Sequence, residues 1–181
     1  RQGKSLNLEN NFAIEVARSV QEIYKEIYPE TGNKDILEKI QVEEEKFRLT
    51  LGKGLKKLEK CIRSTTGNPV LITGNKNKAS EYKELLGMDL DVEVIELDEI
   101  QNIESEIIIE HKLNDAHKIL NRPVIVDDSS LALRSWNGFP GALVKWIIDS
   151  VGAKGLIDLV AQKDNREAEY KVVIGYKDGD L

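Results

Sequence analysis

The chain has 181 residues, with 26 Lys and Arg against 32 Asp and Glu and a net charge of −6. This length suits one domain or a small domain with an appendage, and 40% hydrophobic residues suffice for a core. The acidic balance argues against a general nucleic-acid coat. No apolar run reaches the roughly 18 residues of a membrane span, and no secretory signal opens the chain. A single cysteine, Cys61, is typical of a cytoplasmic protein.

The first part of the chain has a helical pattern. Apolar residues recur at helical spacing from Phe12 to Ile27 and again from Leu37 to Ile62, after Asn33 as a suitable N-cap. Residues 1–64 carry a net charge of +2 and residues 65–181 a net charge of −8. Small and turn-forming residues fill the join, so we predict an α-helical hairpin over 1–63, a linker at 64–68 and a second domain over 69–181.

The second part alternates between strand and helix patterns. The predicted strands are Val70–Thr73, Val92–Ile95, Val124–Val126 and Ala168–Tyr176. The predicted helices are Ala79–Leu86, Glu104–Leu120, Leu143–Val151 and Gly155–Ala161. This alternation is typical of an α/β sheet with helices on its faces.

A polar loop with glycine follows the first predicted strand. It spans residues 73–78, Thr-Gly-Asn-Lys-Asn-Lys, and opens a helix. Glycine lets backbone N–H groups approach an anion, and the helix N-terminus adds positive potential, so the loop suits a phosphate. It matches neither the Walker pattern nor the dinucleotide fingerprint, and an ordinary polar turn is the alternative.

Acidic side chains follow two other predicted strands. Asp127 and Asp128 come directly after Val124–Val126, and Glu99 follows the strand at 92–95. Ligands bind at the carboxyl ends of strands in open α/β sheets, and Mg²⁺ prefers carboxylate oxygens and substrate phosphates. The alternatives are a helix-capping role for an aspartate and a solvated loop position for Glu99.

Basic residues occur in two helical places. Lys145 precedes Trp146 in a predicted helix, where a solvated lysine is the ordinary alternative. Several lysines and an arginine crowd residues 53–63, which favours either a solvated helix end or contact with RNA phosphates.

Taken in order, these segments resemble the inosine triphosphatase family of pyrophosphatases for non-canonical purine nucleotides. The resemblance rests on the loop at 73–78, Asp98–Gln101, Pro123–Leu131, Asn137–Gly141 with Lys145-Trp146, and 163–166, and covers residues 69–181. It implies a mixed central sheet flanked by helices. It also implies Mg²⁺-dependent hydrolysis of ITP, dITP or XTP to the monophosphate and pyrophosphate, and it allows a homodimer through this domain.

The resemblance also implies roles for individual residues. Thr73, Asn75 and Lys78 would hold the triphosphate, and Lys112 and Lys145 match lysines that face the phosphates. Glu99, Asp127 and Asp128 would bind the metal and activate water, and the sequence leaves open which aspartate is the base. The family's later aromatic and Ser-His-Arg segments have no counterpart here, so we expect a domain truncated at its C-terminus. Ser130 stands at a position where the family more often has Gly or Cys.

Residues 1–63 resemble the helical tRNA-recognition region of alanyl-tRNA synthetase. The most distinctive stretch is the Glu-rich segment at 43–55 with its Phe-x-x-Thr-Leu-x-x-Gly pattern. We therefore interpret the chain as a non-catalytic slice of a synthetase fused to a pyrophosphatase. The alternatives are a nucleotide-binding module without turnover and a tRNA-binding fragment.

Overall fold

The computed structural model describes residues 12–24, 26, 32–65, 67–98 and 100–179. They form two compact units, which are described separately. The first contains the described residues up to 64 together with 77–89, and the second contains 65–76 and 90–179. The border between the units after residue 64 falls inside the linker predicted at 64–68. Residues 77–89, which the sequence places in the second domain, belong to the helical unit.

The first unit is helical. Its main elements are α1 (Phe12–Tyr24), α2 (Lys34–Arg63) and most of α3 (Lys76–Leu86), and α1 contacts α2. The predicted N-cap of α2 is confirmed, because the Asn33 side chain accepts a hydrogen bond of 2.9 Å from the Asp35 backbone N–H. The predicted end of the first helix near Pro29 lies outside the described residues.

The second unit is a mixed sheet covered by helices, which confirms the predicted fold class. Its strands are β1 (Val70–Ile72), β2 (Asp91–Glu93), β3 (Val124–Leu133), β4 (Pro140–Gly141) and β5 (Ala168–Lys177), and its helices are α4 (Ser105–Leu120) and α5 (Val144–Ala161). Strands β2, β1 and β3 are parallel neighbours, and β4 and β5 pair antiparallel with β3.

The core of this unit lies between α4 and the sheet. Ile109 and Ala116 of α4 pack with Val70 of β1 and with Val124 and Val126 of β3. These strands are apolar over three consecutive residues because both of their faces are covered, as parallel strands usually are.

One predicted strand was too short, and one predicted pair of helices was correct. The strand predicted to end at Val126 continues to Leu133, since β5 pairs with it from Val124↔Lys177 to Leu133↔Ala168. Backbone pairing along ten positions therefore overrides the low strand propensity of the Asp and Ser residues. The two helices predicted at 143–151 and 155–161 are confirmed, since α5 consists of two helical segments that meet at a kink at Gly152, whose φ of 72° is not helical.

At the other end of the sheet, Arg122 connects three segments. Its guanidinium donates to the Asn68 carbonyl at 2.9 Å and to the Asp91 carboxylate at 2.5 Å. The turn before β3 is thereby tied to the starts of β1 and β2. None of the helices in the described ranges is both long and apolar enough to cross a membrane.

Candidate functional site

The loop after β1 is a short turn held by its own side chain. The Thr73 backbone N–H donates to the Glu93 carbonyl at 3.1 Å, which continues the pairing with β2. The Thr73 hydroxyl then accepts from the Asn75 backbone N–H at 3.1 Å, and α3 begins at the next residue. Such a turn directs the chain from the sheet into a helix N-terminus, the arrangement that suits an anion.

The two aspartates lie beside this loop, but inside a strand and not at its end. Leu71 pairs with Ile125, and the strands are parallel, so continuing the register by two residues places Thr73 level with Asp127. Neighbouring strands are about 4.8 Å apart. The sheet therefore brings the loop and the aspartates together, although the aspartates do not end a strand as predicted.

Asp127 and Asp128 face opposite sides of the sheet. Val124 and Val126 face the core under α4, and side chains alternate along a strand, so Asp128 lies on the α4 side and Asp127 on the other. Asp127 is 9% exposed and Asp128 half-buried. The Asp128 Oδ2 atom is buried, and no described residue gives it a hydrogen bond.

The predicted lysines occupy three helices. Lys112 is half-buried on α4, the helix that covers the Asp128 face. Lys145 is 86% exposed on α5, and its ammonium lies 3.3 Å from the Asp149 carboxylate. Lys78 lies on α3 within the helical unit. Residues 73–75 of the loop, the aspartates and Lys112 therefore belong to the sheet unit, whereas Lys78 belongs to the helical unit and Lys145 is solvated on a separate helix.

The metal prediction can be compared with the donor atoms present. Glu99 lies outside the described residues. Within the ranges described, no group of three or more His, Cys, Asp or Glu side chains is close enough to hold a metal. The unsatisfied Asp128 Oδ2 is a hard oxygen donor of the kind that a magnesium ion prefers, whereas the Asp127 carboxylate lies on the opposite face of the sheet.

Sequence reasoning missed a second group of polar residues farther along β3. Ser130 is 3% exposed, and Lys171 of β5 pairs with it in register. The Lys171 ammonium contacts both Glu106 carboxylate oxygens, at 2.8 and 3.0 Å, and the hydrogen bond from Lys171 lowers the pKa of Glu106. The two-residue period from Asp128 to Ser130 would have revealed this group if the strand had been predicted to its full length.

A polar loop at the carboxyl end of a parallel strand, beside aspartates on the next strand, occupies the place where open α/β sheets bind their ligands. The Ham1 family model matches residues 69–180. The model for class II (A) tRNA synthetases matches residues 1–117, so the two matches share 69–117.

Individual relatives agree with the first match. The inosine triphosphate pyrophosphatase of Aspergillus oryzae is 39% identical over 115 residues, covering 62% of this chain and 60% of that protein. The dITP/XTP pyrophosphatase of Methanopyrus kandleri is 36% identical over 107 residues, covering 58% of this chain and 57% of that protein. A HAM1 protein from Coxiella burnetii has a TM-score of 0.50 at 21% identity, covering 62% of this chain and 64% of that one, which supports the fold alone.

The chain belongs to the Ham1 family through residues 69–180 and to the class II (A) tRNA synthetase family through residues 1–117. The second match agrees with the resemblance of residues 1–63 to alanyl-tRNA synthetase, and extends beyond it. The chain spans about three fifths of the length of the curated pyrophosphatases it matches.

Proposed function

We propose that the sheet unit takes part in Mg²⁺-dependent hydrolysis of non-canonical purine nucleoside triphosphates, such as ITP, dITP and XTP, to the monophosphate and pyrophosphate. The observation that carries the proposal is the register that sets the Thr73 loop beside Asp127 and Asp128. The names of the relatives, inosine triphosphate and dITP/XTP pyrophosphatases, support the substrate class.

In this mechanism the chain's residues divide between holding phosphate and activating water. Thr73, Asn75 and Lys78 would bind the triphosphate at the helix N-terminus, and Lys112 and Lys145 would balance its charge. Asp127 and Asp128, with Glu99, would hold Mg²⁺, which when bound neutralises charge on the phosphates.

We assign the general base to Asp128, because it lies on the sheet face that α4 covers, where Lys112 is half-buried, and its Oδ2 accepts no hydrogen bond from a described residue. Its carboxylate would take a proton from a water molecule as the water oxygen bonds to the α-phosphorus. The bond from the α-phosphorus to the bridging oxygen breaks, and pyrophosphate leaves with the electron pair.

The test is pyrophosphate release from ITP, dITP, XTP and ATP, each with Mg²⁺ and again with excess EDTA. We expect the three non-canonical nucleotides to react faster than ATP, and EDTA to stop the release. Equal rates on ATP, or release that survives EDTA, would contradict the proposal.

A second candidate function, tRNA binding, is favoured by the end of α2. Its exposed cations are Lys53, Lys56, Lys57, Lys60 and Arg63, and the synthetase match includes them. Binding through phosphates releases counterions, so affinity for tRNA would fall steeply with salt. Changing the four lysines to Gln should flatten that salt dependence, and changing Glu43 and Glu45 to Gln should not.

A homodimer through the sheet unit is a further proposal, supported by apolar side chains on α5. Trp146, Val151 and Ile157 are 62%, 48% and 65% exposed, which is unusual for large apolar residues on one helix. Sedimentation of the wild type and of Trp146→Glu would test it. A wild-type monomer would contradict the dimer.

A further inference from the structure

Strand β5 has one edge that no described strand covers. All 10 of its residues pair with β3, and β3 is the only strand beside it within the described ranges. Backbone N–H and C=O groups point alternately to the two edges of a strand. The outer edge of β5 therefore presents a row of backbone donors and acceptors, which is a template for a further strand.

The sequence of β5 offers little protection against such pairing. Edge strands are commonly protected by proline or by a bulge, but Ala168–Lys177 contains no proline and its pairing with β3 is continuous. Val172, Val173 and Ile174 at its centre are strong strand formers. Tyr170 has an aromatic side chain that is 58% exposed. The charged side chains of β5 therefore decide which partner fits.

Those charges complement the charges of a second copy in one register. Two strands related by a twofold axis pair antiparallel, and since alternate residues point outward, the axis passes through a residue and not between two. An axis at Val173 places Glu169 of each copy opposite Lys177 of the other, which puts an attractive pair at both ends of the paired segment. Lys171 then lies opposite Gly175, which has no side chain to oppose it.

The neighbouring registers are less favourable. An axis at Ile174 places Lys171 opposite Lys177, and an axis at Lys171 places the two copies of that lysine opposite each other. Like charges directly opposite destabilise a pair of strands. An axis at Val172 sets Lys171 opposite Val173 and forms no ion pair within the strand. The register centred on Val173 is therefore the one that pairs most of the strand with its charges matched.

We propose that two copies of this chain associate edge to edge through β5, in the antiparallel register centred on Val173. The two sheets then form one continuous sheet. Tyr170 of each copy lies opposite Tyr176 of the other and loses part of its exposed area, as cross-strand aromatic pairs do. This inference rests on the homodimer proposed above, to which it adds the strand and the register, and it does not depend on nucleotide hydrolysis.

Disulfide cross-linking of the full chain tests the register, with Cys61 changed to Ala so that an introduced cysteine meets no other thiol. In the proposed pairing the two Val173 Cα atoms are about 4.5–5.5 Å apart, which suits a disulfide. The two Tyr170 positions are offset by six residues, roughly 20 Å, which is too far. Tyr170→Cys is therefore the control for Val173→Cys, and random collision would favour it because Tyr170 is highly exposed.

Under mild oxidation we expect Val173→Cys to form at least fivefold more covalent dimer than Tyr170→Cys. Equal cross-linking of the two variants would overturn the register. A wild-type chain that sediments as a monomer would overturn the pairing altogether, even if ITP is hydrolysed.

Charge reversal tests the same contact without a new thiol. Lys177→Glu sets two carboxylates opposite each other at both ends and should raise the dissociation constant of the dimer about tenfold. Adding Glu169→Lys should restore the wild-type value, and Lys118→Glu on the exposed side of α4 should leave it unchanged. A dimer that Trp146→Glu breaks and Lys177→Glu does not would place the contact on α5 and overturn the inference.

Discussion

The two units use their apolar residues in different ways. In the sheet unit, Leu71 and Ile125 are completely buried, as expected for strands covered on both faces. In the helical unit, many apolar side chains remain exposed, such as Val16, Val42 and Leu49 at 55%, 62% and 57%. The sheet unit thus has buried central strands that can hold a site rigidly, whereas the helical unit buries residues such as Leu55 and Leu58 but leaves much of its apolar surface exposed.

The two units also differ in the burial of their charged side chains, which affects where a reactive carboxylate can be held in place. Buried or half-buried carboxylates occur in β3, where the surrounding core fixes their position. The charged residues of α2 are mostly exposed, where water screens them. We therefore expect equivalent substitutions to have unequal effects in the two units.

The largest difference should come from removing one carboxylate in each unit. Asp128→Asn keeps the shape of the side chain and removes the proposed base, so ITP hydrolysis should fall by about 10²–10⁴-fold. Asp35→Asn in the exposed first turn of α2 should leave the rate unchanged. The measurement is pyrophosphate release at saturating Mg²⁺, and similar rates for both variants would remove Asp128 from the mechanism.

Two leucines offer the same comparison for stability. Leu71→Ala in β1 leaves a cavity in a fully buried site and should lower the free energy of unfolding by about 2–5 kcal/mol. Leu49→Ala in α2, at a side chain 57% exposed, should change it by less than about 0.5 kcal/mol. Urea unfolding followed by circular dichroism measures both, and a larger loss for Leu49→Ala would show that α2 has a cover.

Two glycines should respond with opposite signs. Gly141 has a φ of 58°, and an added Cβ would lie 2.1 Å from the Ile103 carbonyl oxygen. Backbone strain and this clash should together make Gly141→Ala destabilising by about 2–4 kcal/mol. Gly52 in α2 has open space around it, so Gly52→Ala should stabilise by about 0.5–1 kcal/mol. Thermal unfolding of each variant measures the sign of its change in stability. Equal losses of stability for Gly141→Ala and Gly52→Ala would contradict the expected contrast between the two positions.

The smallest effects should come from two exposed ion pairs that depend on pH in opposite directions. Lys171 lowers the pKa of Glu106, so that pair stabilises above the ordinary Glu pKa of about 4.3 and is lost as pH falls through the folded value. Asp89 raises the pKa of Lys83 in the helical unit, so that pair stabilises below the ordinary Lys pKa of about 10.4 and is lost as pH rises.

Lys171→Met should therefore lower stability at pH 7 by at most about 1 kcal/mol, and the difference from wild type should vanish near pH 3. Lys83→Met should also be less stable than wild type at pH 7. This difference in the free energy of unfolding should vanish only at strongly alkaline pH. Unfolding free energies across the pH range test both. A Lys171→Met difference that persists at pH 3 would show that the ion pair is not its cause.

Local patterns predicted most of the elements but not their full extent. The alternation of strand and helix patterns predicts α4 at 104–120, and the chemistry of Asn33, which depends only on neighbouring residues, predicts the cap of α2. The extension of β3 through Asp127 and Ser130 depends on pairing with β5, some forty residues later in the chain. A pattern of Asp and Ser cannot indicate such pairing, and so the polar group at Ser130 was missed.

For the site, the sequence supplied the residue types and the resemblance supplied their roles. The structure adds that Thr73 and Asp127 are level on adjacent strands, and that the two aspartates face opposite sides of the sheet. The sequence leaves open which aspartate would act as base, because the burial of the two carboxylates depends on how the sheet and its helices pack.

In the proposed mechanism, water attacks the α-phosphorus of a purine nucleoside triphosphate held between the Thr73 loop and Asp128. Hydrolysis of ITP in ¹⁸O-labelled water with Mg²⁺, followed by mass spectrometry of the products, tests it most directly. We expect IMP carrying one ¹⁸O atom and unlabelled pyrophosphate. Label in pyrophosphate, or release of IDP and orthophosphate, would contradict it.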